Sequence, residues 1–459
     1  MLRQDTIAAI ATPLGAAGIG IIRISGPHAH EIACRIFKPA QKKCLWESHF
    51  LYHGDIVSAD GKTILDEVLI SFMRKPHSFT GEDVIEINCH GSPLIMQTIL
   101  EQLVNLGCRL ADAGEFSQRA FFNNRIDLSQ AEALAAMVAA KSPQAYAIGL
   151  SQLKGELSRE IENLRLLLIE ALVLLEAAID FTEDISAAEI PEIPAQINSA
   201  LERIRLLLSS YSAAKIYAEG VNVVITGKPN VGKSSLLNAL TGKKKAIVTD
   251  IPGTTRDLIM ETIHIRGVPL NLVDTAGIRK PQNAIEKEGI NLVWENLVNA
   301  DLVIIMLDSS KLLTDEDRNI INKNINANII VAVNKVDLPA LWEIKKIERL
   351  VKPETRIIKI SAKFGTGLEE LKNVMVILSG YNSDKDAGNV MITNLRHKQA
   401  LEKTQKNIPA AKEGIAGDMS PEFAAFELRE ALDNLDEITG KKINDEVLDK
   451  IFASFCIGK

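Results

Sequence analysis

Cysteine is scarce and badly placed for cross-links. Five cysteines occur in 459 residues, at positions 34, 44, 89, 108 and 456, an odd number with no C-x-x-C pair. A disulfide scaffold and a zinc ribbon are thereby excluded, and the pattern fits a reducing compartment. Long apolar runs are missing too: the apolar-rich stretch 164–179 is broken by Arg165, Glu170 and Glu176, short of the ~18 consecutive apolar residues a membrane span needs. The N-terminus carries Asp5 and no basic region ahead of an apolar core, so no signal peptide is read and a cytoplasmic location away from membranes is expected. Positive charge is not in excess. At a net −7, any contact with nucleic acid requires a local patch. With 28 glycines and 16 prolines scattered along it, the chain is neither collagen-like nor of low complexity.

What is present is the material of packed cores. Hydrophobic residues make up 46% and charged residues 24%, the balance of a globular protein. At roughly 150 residues per domain the length corresponds to about three domains. Residues 1–120 mix β-rich runs (20–25, 67–72, 83–88) with a helical stretch at 93–106, an α+β pattern punctuated by turn signals at Gly26-Pro27 and Asp60-Gly61. From Leu128, apolar residues fall at helical spacing; one helix is expected from about 143 to 180 and another over 195–218, ending before Gly220. At Val221 strands begin to alternate with helices, with strands expected at 221–226, 258–265, 270–273, 302–307, 329–333 and 357–360. That pattern calls for a mostly parallel α/β sheet. After the polar linker 381–389 the helical pattern resumes. The expected organisation is thus an α+β domain (1–120), a discontinuous all-α domain (121–219 and 381–459), and a Ras-like P-loop α/β domain (220–380) inserted into it.

The strongest motif is Gly227-Lys228-Pro229-Asn230-Val231-Gly232-Lys233-Ser234, a match to G-x-x-x-x-G-K-[ST] that follows a strand and, with Ser235, opens a helix. Glycines let backbone N–H groups approach phosphates, the helix N-terminus adds positive potential, and Lys233 neutralises the β- and γ-phosphates. Ser234 is placed to hold Mg2+. Three further elements follow in the order a P-loop GTPase requires: Asp274-Thr275-Ala276-Gly277 after a strand, Asn334-Lys335-Val336-Asp337 at the end of another, and Ser361-Ala362-Lys363 after the last. The Asp337 carboxylate can accept two N–H bonds from guanine, a donor pattern adenine lacks, so GTP is the expected nucleotide. The first switch is read in Thr249-Asp250-Ile251-Pro252-Gly253-Thr254-Thr255-Arg256-Asp257, with Thr255 as the Mg2+-sensing threonine. Ile278 stands where Ras carries a water-orienting Gln, so that role must move elsewhere. Asn230 is either a turn former beside Pro229 or a ligand for a monovalent cation near the phosphates.

The flanking residues carry a family resemblance over nearly the whole chain. Ile21-Ile22-Arg23-Ile24-Ser25-Gly26, Ser78-Phe79-Thr80-Gly81-Glu82-Asp83, Gly114-Glu115-Phe116-Ser117-Gln118-Arg119-Ala120-Phe121 and the terminal Phe455-Cys456-Ile457-Gly458-Lys459 resemble the MnmE (TrmE) family of bacterial tRNA modification GTPases. The resemblance implies a homodimeric GTPase that uses K+ in place of an arginine finger, with K+ held by Asn230, Thr249, Ile251 and Thr254, and with Glu286 as the water-activating carboxylate. Read without the family, Glu286 is an acid at a charged helix start. The resemblance further implies a folate site at Arg23, Glu86, Arg125 and Lys459, taking 5,10-methylenetetrahydrofolate or 5-formyltetrahydrofolate. Many relatives carry Lys where this chain has Arg125; charge survives, donor placement changes. The implied partner is the FAD-dependent MnmG (GidA), in a heterotetramer or larger complex, and the implied substrate is the wobble uridine of certain tRNAs. Cys456 sits four residues from the end, but Gly458 and Lys459 do not complete a prenylation box. Its thiol reads equally as a nucleophile or as a small packed side chain. Two other readings stand beside this one: a ribosome-assembly switch like Era or EngA, which share the Asn-containing phosphate loop, and a one-carbon transferase acting without an FAD partner.

Overall fold

The computed structural model describes residues 5–41, 46–58, 60–180, 192–242, 260–274, 300–322, 328–380, 390–415 and 420–458. The chain begins with β1 (Ile7–Ile10), β2 (Ala17–Ser25), α1 (Ala29–Ile36), β3 (Phe37–Pro39), β4 (Leu51–Val57), β5 (Ile64–Met73), β6 (Val84–Gly91), α2 (Pro93–Asn105), β7 (Arg109–Leu110) and α3 (Glu115–Phe122). Four helices follow: α4 (Leu128–Ala139), α5 (Pro143–Leu153), α6 (Glu156–Asp180) and α7 (Glu192–Glu219). Next come β8 (Val221–Thr226), α8 (Lys233–Thr241), β9 (Met260–Ile265), β10 (Val268–Asp274), β11 (Leu302–Asp308), α9 (Asp315–Ile321), β12 (Asn328–Asn334), α10 (Lys345–Glu348), β13 (Arg356–Lys359) and α11 (Leu368–Leu378). The chain closes with α12 (Leu395–Ile415), α13 (Pro421–Thr439) and α14 (Asp445–Ala453). Backbone packing divides it into two compact units, one of Met1–Ala135, Gly149–Arg205 and Gln399–Lys459, the other of Ala136–Ile148 and Leu206–Lys398.

The first unit holds a seven-stranded sheet in the order β3-β4-β5-β6-β2-β1-β7, antiparallel except where β7 joins β1. Side chains alternate faces along a strand. Ile22 and Ile24 of β2, Ile70 and Phe72 of β5 and Ile85 and Ile87 of β6 therefore share a core with Ile32 and Ile36 of α1 and Met96, Ile99 and Leu103 of α2. The intervening residues Arg23 and Glu86, directly opposite each other in register, are left on the other face. The same unit pairs α6, from the middle of the chain, with α13, near its C-terminus. Leu157, Ile161, Leu164, Leu168 and Leu175 form the buried stripe of α6, and Ala424, Leu428, Ala431 and Leu435 that of α13, while Arg165 and Asp436 pair across them at 2.7 Å. The single helix expected over 143–180 is two helices, because Gly155 at φ +79° leaves the helical region between α5 and α6.

The second unit holds a six-stranded sheet ordered β13-β12-β11-β8-β10-β9. It is parallel except for β9, which pairs antiparallel with β10. Every residue of β11 is buried, as a central parallel strand covered on both faces requires. One face packs on Leu236, Leu240, Leu371 and Met375 from α8 and α11; the other packs on Ile321, Trp342 and Ile347. Loops at the carboxyl ends of parallel strands form the usual ligand crevice of such a sheet, and the phosphate loop and the Asn334 loop both leave from those ends.

Candidate functional site

Strand β8 runs into the phosphate loop, and its two outer glycines are sterically forced. Gly227 has φ +144° and a Cβ there would stand 2.5 Å from the Met306 carbonyl oxygen; Gly232 has φ +105° and a Cβ there would stand 2.3 Å from Asn334 Nδ2. Asn230 takes the left-handed conformation at φ +65° without being glycine, which Asn tolerates better than most residues. Gly232 caps α8, so Lys233, Ser234 and Ser235 form its first turn, where backbone N–H groups are available to an anion. The Lys233 ammonium donates to the carbonyls of Gly227 (2.7 Å) and Lys228 (2.9 Å), an oxygen cradle it can exchange for phosphate oxygens. Both serines are exposed, leaving Ser234 Oγ open to a cation.

The base-side motifs converge on this loop. Asn334, buried at the end of β12, donates from Nδ2 to Val231 O at 2.8 Å and accepts the Ala362 N–H on Oδ1 at 3.0 Å. One side chain thus joins the phosphate loop to the Ser361-Ala362-Lys363 loop. Lys335, itself at φ +65°, donates to Asn230 O at 3.0 Å and pairs with Asp308 at 2.6 Å. Burial pushes the Asp308 carboxyl up, but bonds from Lys335 and Ser310 outweigh it and hold the group below its ordinary value. Val336 donates its N–H to Ile360 O at 3.3 Å, which seats the motif beside β13. Ser361 Oγ donates to Asp337 Oδ1 at 2.6 Å, orienting an exposed carboxylate as two-point recognition of guanine requires. Lys363 lies over the Phe364 ring at 5.0 Å. These donors and acceptors suit a guanine nucleotide with Mg2+ at Ser234. Asp274 ends β10. Thr249, Asp250, Ile251, Pro252, Gly253, Thr254, Thr255, Thr275, Ala276, Gly277 and Glu286 lie outside the described residues, so of the expected K+ ligands Asn230 alone is described. A cavity of about 940 Å³ lined by Val221, Asp301 and Asn328 opens at the amino ends of β8, β11 and β12, the end of the sheet away from these loops.

In the first unit three of the four expected folate positions can be placed. Arg23 Nε donates to Glu86 Oε1 at 2.9 Å, and its NH1 donates to the Gly458 carbonyl at 3.1 Å. The guanidinium lies 5.9 Å from the Phe79 ring centroid and 5.6 Å from that of Phe116, a cation flanked by aromatic faces. Gly458, at φ +91° and with room for a Cβ only 2.6 Å from Ile10 O, lets the C-terminal segment lie against β1. Arg125 Nε donates to Ser78 O at 3.0 Å, so it grips the loop that carries Phe79. Lys459 lies outside the described residues. Cys456 is exposed, whereas burial pushes the Cys89 thiol to about 11 and Cys108 to about 12, which removes both as nucleophiles near neutral pH. Phe79 and Phe116 sat inside quoted motifs but drew no role from the sequence, since only the fold brings them around Arg23.

Known proteins match over the same length. The family model described as the MnmE helical domain matches residues 128–456, and that of the GTP-binding protein TrmE N-terminus matches residues 6–125. A tRNA modification GTPase MnmE of Syntrophus aciditrophicus is 47% identical over 99% of this chain and 100% of its own. That of Acetivibrio thermocellus is 43% identical over the full length of both. Among solved structures, Era of Aquifex aeolicus bound to GDP and aluminium fluoride is 33% identical over 41% of this chain and 66% of its own, at a TM-score of 0.29. The family models reach the front and helical parts, which are the parts that distinguish a modification GTPase from an assembly switch. Matched by these models over 6–125 and 128–456 and by relatives 43–47% identical over 99–100% of its length, the chain belongs to the MnmE (TrmE) family of tRNA modification GTPases.

Proposed function

We propose that this chain hydrolyses GTP to GDP and phosphate with K+ and Mg2+. Working as a homodimer with FAD-dependent MnmG (GidA), it would help install a carboxymethylaminomethyl or aminomethyl group on C5 of the wobble uridine of certain tRNAs. The carbon would come from 5,10-methylenetetrahydrofolate or 5-formyltetrahydrofolate. The observation that carries the nucleotide half is the convergence of Asn334 and Lys335 on the phosphate loop, with Ser361 orienting Asp337 beside it. In this reading the domains are 1–120 for folate, 121–219 with 381–459 for the helical part, and 220–380 for GTP. None of the described helices is long and apolar enough to cross a membrane.

Each group has a task. Lys233 and the first turn of α8 bind the β- and γ-phosphates, and Asp337 selects guanine. Asn230, with Thr249, Ile251 and Thr254, would hold K+, which would supply positive charge to the β- and γ-phosphate oxygens as an arginine finger does elsewhere. Ser234 and Thr255 would hold Mg2+, and Glu286 would orient the attacking water that Ile278 cannot. In the folate site the reduced pterin supplies a one-carbon unit. Glu86 would accept from adjacent pterin N–H donors, Arg23 and Lys459 would hold anionic parts of the folate, and Arg125 would be the fourth residue of the site. The Arg23–Glu86 pair, partly buried with side chains 22% and 25% exposed, supports this reading because it sets a cation and a carboxylate side by side on the sheet face opposite the α1–α2 core.

The K+ assignment is tested by GTP turnover in matched K+ and Na+ buffers. Turnover at least about tenfold faster in K+ is expected, the loss of one charge-stabilising contact being worth a factor of that order or more. Equal rates would remove Asn230 from the catalytic account.

A further inference from the structure

The phosphate loop is held from outside by a lysine that the motif itself leaves free to vary. Lys228 occupies the first variable position of G-x-x-x-x-G-K-S. Its ammonium lies 2.6 Å from Asp317 Oδ2 and 2.9 Å from Thr314 Oγ1. The same Asp317 oxygen accepts the Thr314 N–H at 2.9 Å, and the Asp317 side chain is only 4% exposed. A carboxylate that deep is costly without a partner, so its contact with Lys228 constrains geometry more than an exposed ion pair does.

The second anchor lies two residues further on. The Asn230 carbonyl takes the Lys335 ammonium at 3.0 Å, and Lys335 is fixed by Asp308, another carboxylate at 4% exposure. The stretch from Lys228 to Asn230 is therefore fastened at both ends to separate buried carboxylates, with Pro229 between them. On the inner side the Lys228 carbonyl accepts from Lys233. Asn230 is the one non-glycine residue of the loop in the left-handed region, a conformation Asn adopts more readily than other L-residues but at a cost that fixed neighbours offset.

We propose that Lys228 is a positioning residue for GTP hydrolysis: through Asp317 and Thr314 it holds the outer flank of the phosphate loop so that Asn230 meets the monovalent cation. The inference rests on the K+ reading above. A purely structural link would alter nucleotide affinity and hydrolysis together. A positioning link alters the cation requirement.

The test is a K+ titration of GTP turnover for the full-length native chain, Lys228→Met, Asp317→Asn and Lys228→Arg, alongside binding of a fluorescent GDP analogue in Na+. Asp317→Asn keeps one oxygen acceptor for the Thr314 N–H, removes the charge and turns the other oxygen into an N–H donor. Lys228→Met and Asp317→Asn are expected to raise the half-saturating K+ concentration about tenfold, with GDP affinity changed less than about threefold, while Lys228→Arg recovers most of the native response. An unchanged half-saturating concentration in both weakened variants overturns the inference, as does a parallel loss of GDP affinity. A native chain equally active in Na+ and K+ overturns the K+ reading and the inference with it, an outcome visible without any variant.

Discussion

Arg119 is 1% exposed and faces three carboxylates. Its guanidinium reaches Asp5 at 2.6 Å, Glu115 at 2.9 Å and Glu82 at 3.2 Å, and Arg109 adds bonds to Asp5 and Glu115. Glu82 also accepts from Ser25 Oγ at 2.7 Å, and Ser25 bonds Thr80 at 2.7 Å. The cluster therefore shapes the loop that carries Phe79 toward Arg23. Removing one partner of a buried ionic group leaves the others uncompensated, so Arg119→Met is expected to cost about 3–5 kcal/mol in a urea unfolding measurement. The pH dependence has a definite sign. Burial pushes the Glu115 and Asp5 carboxyls up, but the arginines more than offset it and both end below their ordinary values. A lowered carboxyl stabilises the fold above its unfolded value and loses that contribution as pH falls through the folded one. Stability should therefore fall below about pH 4.5, and Glu115→Gln should flatten that fall. A sequence shows none of this directly: Asp5, Glu82 and Arg119 are three charged residues far apart in the chain, each read most simply as solvated.

Among the elements, strands whose apolar residues run together or alternate over five or more positions, such as β6, were legible, and shorter or interrupted ones, such as the four-residue β1, were not. Val221–Thr226 and Leu302–Asp308 read as buried parallel strands from their sequence. Strand β4 did not, because its first half is largely exposed and Gly54 interrupts it. β3 and β7 have three and two residues, too few for any periodicity. The C-terminal segment is the element whose placement bears most on the proposed folate site. Gly458 has φ +91°, and a Cβ on it would also meet Ala11 Cα at 2.8 Å, so Gly458→Ala cannot keep this path. The substitution should lift the Gly458 carbonyl from Arg23. Binding of 5-formyltetrahydrofolate, followed by calorimetry, is expected to weaken about tenfold with little change in thermal unfolding; unaltered affinity would separate the terminus from the folate site.

At the scale of the whole molecule, two units built from interleaved stretches of chain each carry one half of the proposed chemistry. The phosphate loop and its base-side partners were legible because their spacing is dictated by phosphates and guanine rather than by neighbouring side chains. The Lys228–Asp317 anchor was not, since it joins residues that only the sheet order brings together. The net charge of −7 also bears on the assignment, because a tRNA substrate then calls for a local patch or for the partner enzyme to supply most of the binding surface.

The central claim is that this chain takes part in modifying wobble uridines through GTP hydrolysis. Mass spectrometry of nucleosides from the tRNA of cells lacking the protein tests it most directly, with complementation by the native chain and by Lys233→Ala. Loss of the C5-aminomethyl-type uridines, restored by the native chain and not by Lys233→Ala, is the expected result. An unchanged nucleoside profile in the deletion strain, or full restoration by Lys233→Ala, would contradict it.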